Sequence, residues 1–218
     1  MKLYQSDWSI YPRRVLIYLA EKGIDDINQV SVDLMERENR QPKFLALNPC
    51  GTIPILVVTP EVVIRQSTSI LEYLEEKYPQ PDMIGSTPEA RAMTRDLMYM
   101  VNEYFLFLSY YFSQRSPLFA TMFEQKPDAA TAFYAAYQRS IREIEQTIGD
   151  DEFLCGKRPT IADCMMFASA QYAYRVYGEP LPEDCPKLKA FYVNFERRPS
   201  AAVPEYPELI LRLAPLPR

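Results

Sequence analysis

The sequence predicts an α/β domain followed by an all-helical domain within one chain of 218 residues. Short apolar runs typical of strands alternate with helical patterns in the first third of the chain, and only helical patterns follow. A cluster of helix-breaking residues separates the two parts: Pro79, Pro81, Gly85 and Pro88. We therefore expect domains at residues 1–80 and 88–218, with a boundary near residues 78–87.

The first domain opens with a strand at residues 1–4, a polar loop at residues 5–11 and a helix at residues 12–22. Proline in the first turn and Gly23 just past the last turn are the asymmetry expected of a helix. A second strand is expected at residues 28–32, and a short helix around residues 42–47.

The next segment combines turn chemistry with a strand entry. Asn48-Pro49-Cys50-Gly51 precedes Ile53-Pro54, and an apolar strand follows at residues 55–58. A cis bond at Pro54 would leave the main-chain N–H and C=O of Ile53 facing outward, where they can pair with an extended peptide. An ordinary strand-entry proline is the alternative.

A further strand is expected at residues 62–65, and Gln66-Ser67-Thr68-Ser69 then opens an amphipathic helix. Main-chain N–H groups and the helix dipole make such a start a site for a carboxylate, to which a serine hydroxyl adds a donor. Plain N-capping is the alternative, because serine and threonine are preferred there.

Four helices are expected in the second domain, at residues 88–114, 128–148, 160–177 and 185–197. Thr160-Ile161-Ala162-Asp163 predicts a capping box that fixes the start of a buried helix, a structural role. The first of these helices is unusually rich in aromatic residues.

Composition excludes several kinds of function. A net charge of −5 and a pI near 5.0 argue against nucleic-acid binding. We expect no membrane span, because no apolar run is long enough, and no signal peptide, so a cytoplasmic location is expected. The chain has no histidine, which removes His-dependent triads and His-ligated zinc, and its four cysteines form no CxxC pair. No metal site is expected.

Four strings resemble the glutathione transferase family, in order and over nearly the whole chain: LYQSDWSIYPRRVLIYLAEKGI, FLALNPCGTIPIL, RQSTSILEYLEEKYP and FLCGKRPTIADCMMF. The resemblance implies a thioredoxin-like domain followed by a helical domain, with glutathione as cosubstrate. It also implies a homodimer, which the residues themselves do not establish.

Glutathione chemistry suits a chain without imidazole, because the reactive thiol belongs to the cosubstrate. A free thiol is only a few per cent ionised at neutral pH, so the site must favour the thiolate. In serine-type members of the family the activating hydroxyl lies shortly before an Arg-x-Val, and Ser9 has that spacing. Ser6 or Tyr11 is the alternative if the loop register differs.

The resemblance assigns the remaining contacts by position. Ile53 would pair with the cysteinyl unit, Pro54 would be cis, and Gln66 with Ser67 would hold the γ-glutamyl end. Asn39, Arg40 and Thr52 would bind the glycyl carboxylate. Gly51 stands where many relatives have a basic residue, so we expect looser binding there or a larger share for Arg40.

The apolar electrophile would be bound beside the helical domain. The candidates are Trp8, Tyr11, Tyr104, Phe105 and Tyr111, although aromatic stripes more often form core or subunit interface.

Three functions remain open. The favoured function is a glutathione transferase that uses Ser9. A second is a glutathione-dependent reductase of disulfides or peroxides. The third is non-catalytic, because SIYPRRVLIYLAEKGI also resembles stringent starvation protein A, a transferase-fold protein that binds RNA polymerase.

Overall fold

The computed structural model describes residues 1–217, which fall into two compact units. The first comprises Met1–Met83 together with Val203–Glu205. The second comprises Ile84–Ala202 and the described chain from Tyr206 onward. The first unit has a mixed sheet with helices, and the second is helical, which confirms the predicted fold class.

A four-stranded sheet organises the first unit. Its strands are β1 (Lys2–Gln5), β2 (Asn28–Ser31), β3 (Ile55–Thr59) and β4 (Val62–Ile64), in the spatial order β2-β1-β3-β4. Strand β1 runs parallel to β2 and antiparallel to β3, and β3 runs antiparallel to β4. The two internal strands, β1 and β3, are therefore the ones that position side chains between helices.

Each face of this sheet buries a different set of side chains, because successive strand residues point to opposite faces. Helix α2 (Pro42–Leu45) contributes Phe44 to one face, where the ring of Tyr4 meets it edge to face at 6.1 Å. Val32, Ile53 and Ile55 complete that cluster. Tyr4 is thus a packing residue of the strand.

Helices α1 (Ile10–Lys22) and α3 (Ser67–Lys77) pack against each other, and α3 also packs against β3. Leu3 and Leu56 are fully buried and are direct partners in the β1–β3 ladder. They occupy the sheet face opposite Tyr4. Helix α3, with buried Ile70, Leu71 and Leu74, packs on β3.

Helix α1 begins at Ile10, two residues earlier than the sequence predicted. Pro12 is tolerated in the first turn, because the first N–H groups of a helix have no intrahelical partner. The first N–H that bonds four residues back is that of Arg13, to the Ser9 carbonyl at 2.9 Å. The expected loop at residues 5–11 is therefore shorter, and Tyr11 lies within the helix.

The second unit contains six helices within its described residues. They are α4 (Pro88–Arg115), α5 (Pro117–Ala120), α6 (Pro127–Thr147), α7 (Ile161–Tyr172), α8 (Pro186–Glu196) and α9 (Glu208–Leu213). Helices α4 and α6 form the largest packing contact, and α4 also packs on α7. Over residues 1–217, no helix has both the length and the apolar character needed to cross a membrane.

The predicted capping box at the start of α7 is confirmed. The Thr160 side chain accepts from the third helical N–H, while Asp163 Oδ2 accepts from the Thr160 N–H at 2.7 Å. The other oxygen of Asp163 accepts from the Leu154 N–H at 2.8 Å. A fully buried carboxylate thus fixes both the helix start and the preceding loop.

The end of this helix differs from the prediction. An uninterrupted helix was expected through residue 177, but α7 ends at Tyr172 and a π-helical turn spans Ala173–Tyr177. The Tyr177 ring stacks on Phe112 of α4 at a centroid distance of 3.9 Å. The spacing of apolar residues in the sequence cannot reveal such a turn. A single π-helical turn adds only one residue to a helical turn and leaves the pattern of apolar residues almost unchanged.

Candidate functional site

Ser9 occupies the N-cap position of α1. Its side chain makes no capping hydrogen bond, and its N–H donates to the Ser6 carbonyl at 3.0 Å. The residue is partly buried. The structure therefore does not support a pure capping role, and it leaves the hydroxyl available beside the positive end of the helix dipole.

The two alternative hydroxyls have different surroundings. Ser6 is only 4% exposed and follows directly on β1. Tyr11 is 39% exposed, and the guanidinium of buried Arg14 lies 5.0 Å from its ring centroid. Trp8 is partly buried within the turn between Ser6 and Ser9. The candidates Ser6, Trp8, Ser9 and Tyr11 thus all lie between the end of β1 and the first turn of α1.

Ile53 lies just before β3 and outside its ladder. Its side chain belongs to the buried cluster, yet its main-chain N–H and C=O have no hydrogen-bond partner within residues 1–217. The Ile53–Pro54 peptide bond is cis, as predicted. An extended peptide could therefore pair with Ile53 without displacing an internal bond.

A short turn at residues 38–40 packs against the loop at residues 48–51. The Asn39 amide donates to the Gly51 carbonyl at 2.7 Å, and Arg40 Nη1 donates to the Cys50 carbonyl at 3.1 Å. Asn39 is thus committed to a structural bond, whereas the exposed Arg40 guanidinium keeps further donors. This favours Arg40 over Asn39 for binding a carboxylate.

Thr52 is exposed, and Asn48 holds its main chain. The fully buried Asn48 amide donates to the Thr52 carbonyl at 2.8 Å and to its hydroxyl at 3.0 Å. The same side chain accepts from the Cys50 N–H at 3.2 Å. Asn48 therefore rigidifies the loop in which Thr52 lies, and its role was not predicted from the sequence.

Gln66 and Ser67 form the start of α3. Gln66 is the N-cap residue, exposed and without a capping bond from its side chain, and Ser67 is 6% exposed. Neither residue therefore caps the helix through its side chain. The main-chain N–H of Ser67, at the first helical position, remains available to an anionic group.

The structure separates the aromatic candidates on α4. Tyr104 and Phe105 are 1% and 3% exposed and belong to the core of the second unit. Tyr111 is partly buried, with its ring 4.9 Å from that of Tyr134. Burial, with a smaller contribution from Glu179, raises the pKa of the Tyr111 phenol, which therefore stays a hydrogen-bond donor at neutral pH. Of the three, only Tyr111 presents surface to a ligand.

No group of three or more potential metal ligands occurs in the part of the chain that the structure describes. Family models for the glutathione S-transferase N-terminal and C-terminal domains match residues 8–77 and 127–193. A maleylacetoacetate isomerase of Pseudomonas aeruginosa is 31% identical over 95% of this chain and 99% of its own. The chain belongs to the glutathione S-transferase family.

Two further relatives extend the comparison within the glutathione S-transferases and beyond them. The solved structure of Gtt2 from Saccharomyces cerevisiae aligns with a TM-score of 0.79 at 26% identity, over 92% of this chain and 98% of that one. A stringent starvation protein A homolog of Coxiella burnetii is 31% identical over 76% of this chain and 72% of its own.

Gly51, where we expected a basic residue in many relatives, is tightly packed in this member of the glutathione S-transferase family. It has φ 61°, and an added Cβ would lie 2.8 Å from Arg40 Nη1 and 2.9 Å from the Asn39 carbonyl oxygen. A basic side chain cannot be placed there without moving the neighbouring turn. The packing of residues 39 and 40 therefore explains the glycine.

Gln5, at the end of β1, is a polar residue of this region that sequence reasoning missed. It is 8% exposed, and its Oε1 is buried without a hydrogen-bond partner. The sequence signal that could have identified it is a polar residue at a buried position of an internal strand.

Proposed function

We propose that this glutathione S-transferase family member activates the thiol of bound glutathione for conjugation to an apolar electrophile. The observation that supports this most directly is the Ser9 hydroxyl, which stands at the N-terminus of α1 without a capping bond. In this role the hydroxyl donates to the glutathione sulfur, and the helix dipole adds to the preference for the anion. The thiol proton passes to solvent, the thiolate forms the new bond to the electrophilic carbon, and the leaving group departs with the electron pair.

The remaining predicted residues have complementary roles in this proposal. The Ile53 main chain pairs with the cysteinyl unit, the first turn of α3 at Gln66 and Ser67 binds the γ-glutamyl carboxylate, and Arg40 binds the glycyl carboxylate. Thr52 extends this surface. The unpaired main chain of Ile53 and the packing of Asn39 against Gly51 support this division.

Calorimetric titration with glutathione, followed by turnover of a chlorinated nitroarene, tests the proposal. We expect saturable binding and release of chloride in equal amount to the glutathione consumed. Ser9→Ala should abolish most of the turnover while binding persists. No heat on titration at millimolar glutathione would contradict the proposal, and activity confined to small mixed disulfides would favour the reductase function.

Similarity to a maleylacetoacetate isomerase favours a second candidate, isomerisation of an unsaturated carbonyl compound. The same thiolate would add to the double bond and leave after rotation, so glutathione would not be consumed. Counting glutathione before and after turnover separates the two reactions. Similarity to a stringent starvation protein A homolog favours a third, non-catalytic role, for which retention on immobilised glutathione would fail.

A further inference from the structure

Gln5 carries a buried amide that the protein itself does not satisfy. The residue is 8% exposed, its Oε1 is inaccessible to solvent, and its side chain has no hydrogen-bond partner within residues 1–217. A buried polar group without a partner destabilises a folded protein, and native structures rarely keep one. The amide nitrogen also has no partner within residues 1–217, and unlike Oε1 it is not closed to solvent, so it can donate to a partner from outside the chain.

The register of the sheet places this amide beside the candidate site. Gln5 pairs with Ser31 on one side, and the β1–β3 ladder ends at Tyr4, which faces Ile55. The next position along β3 after Ile55 is Pro54. Gln5 thus lies where the ladder stops and where the main chain of Ile53 is left unpaired.

The face of the sheet is also the appropriate one. Gln5 shares its face with Leu3, two residues earlier, and opposes the face that carries Tyr4 and Phe44. Helix α3, whose first residue is the buried Ser67, packs on β3. Buried polar side chains therefore lie both at the end of β1 and at the start of α3.

We propose that Gln5 is a further ligand-binding residue, whose amide nitrogen donates a hydrogen bond to a main-chain carbonyl of the cysteinyl unit of bound glutathione. This inference rests on the proposed function. An ordered water that satisfies the amide in the ligand-free protein is the competing explanation. The two explanations predict opposite effects of Gln5 on the stability of the ligand-free protein. An amide that is paired only when the ligand is bound destabilises the free protein, whereas an amide paired with a water stabilises it.

Gln5→Met tests the inference, because methionine has a similar length and no hydrogen-bonding amide. We expect the ligand-free variant to unfold at the same or a higher denaturant concentration than the unchanged protein. Its Kd for glutathione, measured by calorimetry, should rise about tenfold, which corresponds to the loss of about one hydrogen bond. Gln171→Met is the matched control, since this buried amide donates to the Ala201 carbonyl at 2.8 Å. It should lower stability and leave the Kd unchanged.

An unchanged Kd for Gln5→Met would overturn the inference, whether stability is kept or lost. If that variant does not fold, Gln5→Asn retains a polar side chain but withdraws the amide by one methylene, and the same weakening of glutathione binding is expected. Failure of the unchanged protein to bind glutathione would instead overturn the proposed function. The two failures are thus distinguishable in one set of titrations.

Discussion

The Lys22 ammonium donates a hydrogen bond of 2.6 Å to the Glu75 carboxylate and so joins α1 to α3 inside the first unit. The two side chains are 0% and 6% exposed. The Tyr18 hydroxyl donates to the same oxygen at 2.5 Å, and the Met83 N–H donates to the other at 2.9 Å. A second bond from Lys22 reaches the Pro81 carbonyl at 2.7 Å. Each of the two buried charges therefore has at least two hydrogen-bond partners.

Lys22→Met should destabilise the protein by about 3–5 kcal/mol, because it leaves the Glu75 carboxylate buried without its counter-charge. Chemical denaturation measures this loss. The double variant Lys22→Met/Glu75→Gln should recover part of it, since no charge then remains. The exposed pair of Lys126 and Glu124 provides the control, and Lys126→Met should leave stability unchanged. Equal losses in Lys22→Met and the double variant would contradict the role of charge pairing.

Ser9→Ala should lower kcat/KM for conjugation about 25-fold at neutral pH. A thiol with a pKa of about 8.5 is only a few per cent ionised there, whereas a pKa lowered by about two units leaves most of it ionised. The reason is the missing donor to the sulfur. The pH–rate profile should therefore shift to the alkaline side, and the rates of the two proteins should converge at high pH, where the thiol ionises without help.

Ser6→Ala is the matched comparison for this prediction, because Ser6 is the competing hydroxyl in the same loop. We expect a much smaller change in kcat/KM and an unshifted pH profile. If Ser6→Ala shifts the profile while Ser9→Ala does not, the assignment of the activating hydroxyl moves to Ser6.

Gly51→Ala should destabilise the first unit by about 1–3 kcal/mol, through backbone strain at φ 61° and the close approach of its Cβ to Arg40 and Asn39. Gly23→Ala isolates the first contribution, because Gly23 has φ 70° and nothing lies within 4 Å of its added Cβ. Thermal unfolding should show the larger loss for Gly51→Ala. Equal losses would mean that the turn at residues 38–40 moves freely.

Asp163 should make stability depend on pH. Burial raises the pKa of this carboxyl from 3.8 to about 6. Between these values the folded state holds a proton that the unfolded chain has released, so stability falls as the pH rises from about 4 to about 6. The free energy of unfolding of the unchanged protein, minus that of Asp163→Asn, should thus increase by about 2–3 kcal/mol from pH 7 to pH 4. A flat difference would show that the carboxyl does not titrate there.

Much of the first unit could be predicted because its signals are local. Pro12 and Gly23 delimit α1 to within two residues, and the proline before β3 predicted the cis bond next to the unpaired main chain of Ile53. In the second unit, the capping box at Thr160 and Asp163 was predicted from the sequence in the same way. These motifs specify their own backbone hydrogen bonds, so a short stretch of sequence is enough to identify them.

Features that depend on distant packing were not predictable. The bond from Asn39 to Gly51 and the burial of Tyr104 and Phe105 arise from contacts between separate segments, and the π-helical turn after Tyr172 leaves no periodic signal in the sequence. A row of aromatic residues on one helix face has the same sequence pattern whether it faces a cavity or a neighbouring helix. Only the packing of α4 against α6 shows which side chains remain accessible.

The margins of the sheet bear on how the protein behaves at high concentration. The outermost strands, β2 and β4, have four and three residues, and β2 presents Asn28, Gln29 and Ser31 to solvent. A strand from a second polypeptide could form only a few backbone hydrogen bonds with either edge strand, and β2 would offer it little apolar surface. The short length of both outer strands and the polar side chains of β2 therefore protect the sheet against edge-to-edge pairing.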